Sequence, residues 1–136
     1  MSKRRTGRKL AMQLLYQFDI KQINISEIIK DLNENRSYEV ETKSWATELA
    51  SGTLKMIDIS DGIISKYSES WDINRVNKID KSILRLALFE ITKTETDNKI
   101  ILNEYLEIAK KYSTEDSYKF INGILGAYVN DQCLQG

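Results

Sequence analysis

The sequence predicts an all-α protein, and three observations lead to this prediction. Proline is absent and glycine occurs six times in 136 residues, so few positions would interrupt a helix. Apolar residues recur at intervals of three and four positions, and no segment shows the sustained alternation of a strand. Hydrophobic residues make up 41% of the chain and charged residues 29%, which is typical of a globular protein. We therefore predict one domain over residues 1–136, a compact bundle of about seven helices.

The first half of the chain contains three predicted helices. The first, near residues 5–20, carries an apolar stripe formed by Leu10, Ala11, Leu14, Leu15 and Phe18. The second has Ser26 as its predicted N-cap and a stripe formed by Ile25, Ile28, Ile29 and Leu32. Apolar residues between positions 45 and 63 then predict a single long helix that ends near Tyr67, with Gly62 as its weak point.

The second half begins with a predicted short helix from about Asn74. Residues 83–91, ILRLALFEI, are apolar on nearly every side, which is typical of a helix buried within a bundle. Two amphipathic helices follow. Ser113, three residues before Asp116, resembles an N-cap for the last of them.

The positive charge of the chain is concentrated at its start. Basic and acidic residues balance at 20 each, yet five cations lie within the first nine residues: Lys3, Arg4, Arg5, Arg8 and Lys9. The remaining chain has 15 basic against 20 acidic residues, a net charge of −5. This asymmetry predicts an anion-binding end on an acidic body that would meet a basic partner. The alternative is a charged start without a function.

A helical projection of residues 5–20 indicates what this end would bind. The side opposite the apolar stripe carries Arg5, Lys9, Met12, Gln13 and Tyr16. Arg8 lies on the flank of the helix. Cations for phosphates and a flat ring for base stacking are typical of proteins that bind single-stranded nucleic acid. Cations at a helix N-terminus also cost about 0.3–1 kcal/mol each, and a bound phosphate would relieve that conflict. A transit peptide or a membrane-surface helix are the alternatives.

The residue types that usually support catalysis are scarce. The chain has no histidine and one cysteine, Cys133, so neither a zinc site nor an activated nucleophile is expected. Glu104 and Glu107 precede Lys110 and Lys111 on one predicted helix, and we interpret them as surface ion pairs. We predict a binding protein without enzymatic activity, metal or cofactor. With one cysteine and no apolar run near the ~18 residues of a membrane span, we expect it in the cytoplasm.

Three segments of the sequence, in this order, resemble the NusB family of transcription antitermination factors. They are KRRTGRKLAMQLLYQFD (3–19), RVNKIDKSILRLALFEI (75–91) and ILNEYLEIAKKYSTEDSYKFINGIL (101–125). The resemblance implies two packed helical halves. It also implies binding of boxA-type single-stranded RNA together with NusE, a small-subunit ribosomal protein, in the antitermination complex on RNA polymerase during ribosomal RNA synthesis. It leaves open whether the chain is a monomer or a homodimer.

The resemblance also implies roles for individual residues. The RNA-binding residues that the resemblance implies are Lys3, Arg4, Arg5, Arg8, Gln13, Tyr16 and Phe120. The helical projection adds Lys9 to this predicted set. Asp80 and Asp116 match acidic positions on the surface that faces NusE. From the sequence alone, a core position is the alternative for Phe120 and a helix cap the alternative for Asp116.

The chain departs from the family pattern at three positions. Thr6 and Gly7 stand where relatives often have a cation and an alanine, which predicts a thinner basic patch and a weaker first turn. Asp97 replaces a frequent proline, which predicts a looser loop. Two other functions fit the pattern: an RNA-holding accessory domain for an RNA methyltransferase, and a protein-interaction module whose basic end meets an acidic partner.

Overall fold

The computed structural model describes residues 3–68 and 76–135, and these residues form seven α-helices without any strand. The helices are α1 (Lys3–Lys21), α2 (Ile25–Glu34), α3 (Val40–Lys55), α4 (Ile57–Tyr67), α5 (Lys78–Lys93), α6 (Asn98–Tyr112) and α7 (Glu115–Gln135). The all-α prediction is confirmed. The predicted short helix from Asn74 begins outside the described residues, and the prediction of a single domain stays a prediction.

Helix α5 connects the two packed halves of the fold. It contacts α1, α3, α4, α6 and α7. Five of its apolar residues are fully buried, namely Ile83, Leu84, Leu86, Ala87 and Leu88, so the predicted central helix is confirmed. Within the described parts of the chain, no helix is long and apolar enough to cross a membrane.

Helix α1 is more deeply embedded than its sequence predicts. The stripe residues Leu10, Ala11, Leu14 and Leu15 are buried as expected. Met12, which the projection places on the outward side, is only 3% exposed. The reason is that α1 packs against α2, α3, α5 and α6, so protein covers more of its circumference than one apolar stripe indicates.

The predicted long helix between positions 45 and 67 is two helices. The break lies at Met56, where φ is −118° and ψ is 27°, and not at Gly62, which continues α4. The Met56 N–H donates to the Thr53 carbonyl at 3.2 Å, a bond of 3₁₀ type that tightens the last turn of α3. Because Met56 is itself buried, the apolar spacing continues through the break and conceals it.

Three helix starts are fixed by caps that the sequence does not predict, and two of them replace predicted ones. The Asn24 side chain, and not Ser26, caps α2 by accepting from the Ser26 N–H at 3.0 Å. Thr114, and not Ser113, caps α7 by accepting from the Ser117 N–H at 3.0 Å. Asp97 caps α6 by accepting from the Lys99 N–H at 2.8 Å, so this position, where relatives often have proline, holds the helix start with a hydrogen bond.

Candidate nucleic-acid interface

The cations at the start of α1 divide into an exposed group and one buried member. Lys3, Arg4 and Arg5 are exposed, and Lys9 is half-buried. Arg8, one turn after Arg4, is only 3% exposed. The prediction that Arg8 lies on an accessible flank is therefore wrong, because α5 and α6 pack over that side of α1.

Arg8 belongs to a buried polar network that joins three helices. Its Nε and Nη2 each donate to a Glu90 carboxylate oxygen at 2.8 Å, and Glu90 is 1% exposed. The Tyr105 hydroxyl donates to the same carboxylate at 2.5 Å. Burial, and then the Glu90 charge, raise the pKa of Tyr105 well above its usual value, which keeps the hydroxyl a donor. Arg8 thus holds α1 against α5 and α6 from inside the protein.

Lys3 and Arg5, two of the exposed cations, have carboxylate partners at the start of α3 and on α6. Lys3 Nζ lies 2.9 Å from a Glu39 oxygen and 3.4 Å from a Glu41 oxygen. Arg5 donates to both oxygens of Glu104, at 2.8 and 3.2 Å. These hydrogen bonds raise the pKa values of Lys3 and Arg5, so both side chains remain charged. The conflict predicted between these cations and the helix dipole is therefore relieved in part by the protein's own acids.

Arg4 lies against an aromatic ring that the sequence predicts only as part of the core. Its guanidinium carbon is 4.5 Å from the centre of the Trp45 ring, and that of Arg8 is 5.3 Å away. The ring lies directly against α1 at Gly7, where an added Cβ would be 2.4 Å from Trp45 Cε3. Gly7, predicted only to weaken the first turn, makes room for this indole.

The remaining predicted residues on α1 are partly accessible. Lys9 Nζ lies 3.3 Å from the Tyr38 hydroxyl and 5.1 Å from the centre of its ring. Gln13 lines a shallow cleft of about 200 Å³ between α1 and α2, to which Tyr38 also contributes. Tyr16 is half-buried. The outward side of α1 therefore combines cations, an amide and an aromatic ring, as the projection predicts, but it lacks Met12, which is buried.

A second cleft, of about 300 Å³, separates α1 from the end of α6. We call it the α1–α6 cleft; its lining residues are Arg5, Lys9, Glu104, Glu107, Ile108, Lys110, Lys111 and Tyr112. It brings two lysines of α6 next to the cations of α1. Sequence reasoning interpreted Lys110 and Lys111 only as partners of the preceding acids. The missed signal is the run Lys110–Lys111–Tyr112, two cations followed by a ring.

Aromatic rings continue from α6 onto α7. Lys110 Nζ lies 5.0 Å from the centre of the Tyr118 ring, and Lys111 Nζ lies 5.5 Å from that of Tyr112. Phe120 is half-buried at the edge of the core. Phe120 therefore packs against the core and is partly accessible at the surface.

The two acidic positions predicted to face NusE have different surroundings. Asp80 is 4% exposed and accepts hydrogen bonds of 2.6 Å from the hydroxyls of Ser113 and Ser117. Its predicted place on a surface is therefore wrong, because it ties the start of α5 to the junction of α6 and α7. Asp116 is exposed in the first turn of α7, where a negative charge is favourable.

Comparisons with known proteins give consistent results. Residues 5–130 match the family described as the NusB family. The transcription antitermination protein NusB of Thermoanaerobacter sp. (strain X514) is 38% identical over 132 residues, which cover 97% of this chain and 94% of that protein. A structure of T. maritima NusB aligns with a TM-score of 0.82 at 31% identity, covering 93% of this chain and 89% of that one. The antitermination factors NusB and NusE in complex with double-stranded RNA provide another match, with a TM-score of 0.81, 27% identity and coverage of 93% and 96%.

Proposed function

The chain belongs to the NusB family, and we propose that it acts as a transcription antitermination factor. In this role it binds boxA-type single-stranded RNA together with NusE and helps to assemble the antitermination complex on RNA polymerase during ribosomal RNA synthesis. It acts in the cytoplasm by binding, without catalysis. The observation that carries this proposal is the exposed cluster of cations at the start of α1, which adjoins partly accessible aromatic rings.

The proposed RNA contacts divide into charge and stacking. Lys3, Arg4, Arg5 and Lys9 would hold the phosphate backbone, and Gln13 would offer an amide to a base edge. Tyr16 and Phe120, half-buried with part of each ring accessible, would stack on bases. Stacking of this kind contributes about 1–3 kcal/mol per base. We exclude Arg8 from direct contact and assign it the positioning of α1 through Glu90.

The proposed NusE contact lies at the start of α7. Ribosomal proteins are generally basic, and the part of the chain after the first nine residues carries excess negative charge, so the charges are complementary. Asp116 is exposed there and would face NusE. Asp80 would act indirectly, because its bonds to Ser113 and Ser117 fix the turn from which α7 begins.

An accessory role beside an RNA methyltransferase is not favoured by the comparisons. The Thermoanaerobacter relative is named as an antitermination protein, and the match covers 94% of its length. The T. maritima structure is likewise of NusB, and the match covers 89% of that chain. Both support the antitermination role over the accessory role.

The test is a binding titration of fluorescent boxA RNA with and without NusE. Arg4→Glu plus Arg5→Glu should weaken RNA binding by at least tenfold, since two phosphate contacts become repulsions. Arg8 is left intact because its removal would disturb the interior.

The matched control is Lys30→Glu plus Lys99→Glu, which changes the net charge equally at exposed positions on α2 and α6. It should bind nearly as well as the unmodified protein. Equal affinities for the two double variants would reject the assignment of the RNA site to α1, and an unmodified protein that bound no boxA RNA would reject the function.

A further inference from the structure

The α1–α6 cleft concentrates charge of both signs within about 300 Å³. Arg5 and Lys9 reach it from α1, and Lys110 and Lys111 reach it from α6. Four cations against two carboxylates, Glu104 and Glu107, leave a net charge of +2. An open concave site with this balance attracts anions even though part of its charge is already compensated.

Glu104 occupies the donors that an incoming anion would use. Both its oxygens accept from Arg5 in a fork-like geometry, which is also the geometry by which arginine binds phosphate. The Glu104 side chain is 18% exposed whereas that of Arg5 is 50% exposed. The Glu104 side chain is therefore largely enclosed, while half of the Arg5 side chain is accessible to solvent.

The α6 side of the cleft offers further contacts to an incoming anion. Lys110 is 3.4 Å from Glu107, and both side chains are more than half exposed, so this pair exchanges partners easily. Lys111 and the half-buried Tyr112 complete that wall. Cations in the last turn of a helix are also favoured by its dipole, which makes this end of α6 a stable position for them.

We propose that the α1–α6 cleft binds a backbone phosphate of single-stranded RNA in exchange for Glu104, which neutralises Arg5 while RNA is absent. Lys110 and Lys111 then extend the RNA path from α1 onto α6. This inference rests on the proposed RNA-binding function. The exchange disfavours small anions, because one weak anion does not displace a tethered carboxylate, whereas a polyanion with several simultaneous contacts does.

The experiment measures the affinity for fluorescent boxA RNA across a salt series. Glu104→Gln should tighten binding roughly two- to fivefold at low salt, because Arg5 no longer has to leave a charged partner. Lys110→Gln plus Lys111→Gln should weaken binding at low salt. That double variant should also flatten the slope of log affinity against log salt by about 1.4, at roughly 0.7 for each phosphate contact on a single strand.

Two controls separate the exchange from a general effect of net charge. Glu48→Gln removes one exposed carboxylate from α3, outside the lining of the cleft, and should tighten binding clearly less than Glu104→Gln. In an Arg5→Gln background, the gain in RNA affinity from Glu104→Gln should disappear, because the Arg5 guanidinium that Glu104 neutralises is then missing. A purely structural role of Glu104 would not depend on Arg5 in this way.

The inference is overturned if Glu104→Gln leaves the affinity unchanged, or if Glu48→Gln tightens binding as much. It is also overturned if the Lys110 and Lys111 double variant retains the original salt slope. Failure of the proposed function would look different, since the unmodified protein would then bind no boxA RNA. Circular dichroism of each variant should show the same helical content as the unmodified protein.

Discussion

Replacing Gly7 by alanine has two opposing effects on stability near the start of the proposed RNA-binding helix, α1. Alanine is the better helix former by about 1 kcal/mol, so the sequence alone predicts stabilisation of α1. The structure predicts the opposite. An added Cβ would lie 2.4 Å from Cε3 and 2.9 Å from Cζ3 of Trp45, well inside the contact distance of two carbon atoms.

The size of the loss follows from the movement required. Restoring an ordinary carbon–carbon distance of about 3.5 Å displaces the Trp45 ring or α1 by roughly 1 Å. Arg4 and Arg8 lie near the same ring, which restricts its movement. Overpacking of this kind costs about 1–3 kcal/mol. After subtraction of the gain in helix propensity, we expect Gly7→Ala to be destabilising by about 1 kcal/mol.

Urea denaturation followed by circular dichroism measures this difference. A loss of about 1 kcal/mol moves the midpoint down by roughly 0.5 M for a protein of this size. In a Trp45→Ala background the clash is absent, so Gly7→Ala should there raise the midpoint. A higher midpoint for Gly7→Ala in the otherwise unmodified protein would refute the reasoning, because propensity would then outweigh packing.

Two further predictions concern the buried network and the partner surface. Arg8→Met should lower the free energy of unfolding by about 3–5 kcal/mol, because Glu90 would remain as an unpaired buried charge. Adding Glu90→Leu should recover much of this loss, as measured by urea denaturation. Equal losses for the single and the double variant would contradict the pairing of Arg8 with Glu90. Asp116→Lys should weaken capture of NusE in a pull-down more than it weakens RNA binding. Asp58→Lys, also in the first turn of a helix, is its control and should leave NusE capture unchanged.

The sequence predicts the positions of the helices better than it predicts which charged side chains are exposed. The apolar stripe of α1 identifies a helix packed on one face, because burial of one face imposes a period of 3.6 residues, and the apolar run of α5 identifies a helix buried on nearly every side. The apolar residues keep the same period before and after the break at Met56, so no change of pattern marks the break. It depends on one backbone hydrogen bond to Thr53, which a sequence pattern does not encode.

The predicted site was least accurate for charged residues that are buried. A projection gives the direction of Arg8 relative to one stripe, yet four helices cover α1. Glu90, the partner of Arg8, is 82 positions away in the chain, and the two serines that bind Asp80 are 33 and 37 positions away. These charges are hidden by tertiary packing, and the sequence reports only that each is polar.

The same long-range pairing explains why a neutral protein carries a basic end. Each exposed cation that starts α1 would repel its neighbours and oppose the helix dipole if the rest of the chain did not compensate it. For Lys3, Glu39 and Glu41 at the start of α3 supply that compensation, and for Arg5, Glu104 from α6 does. The two Lys3 pairs are exposed on both sides and weak enough to exchange for phosphate, whereas the proposed exchange at Arg5 replaces the more enclosed Glu104. Arg8, by contrast, is buried and paired with Glu90, and it fixes the helix on which the proposed exchange would take place. In this proposal, a basic surface whose exposed cations are neutralised by nearby acids would stay folded without RNA and would release those cations to a polyanion.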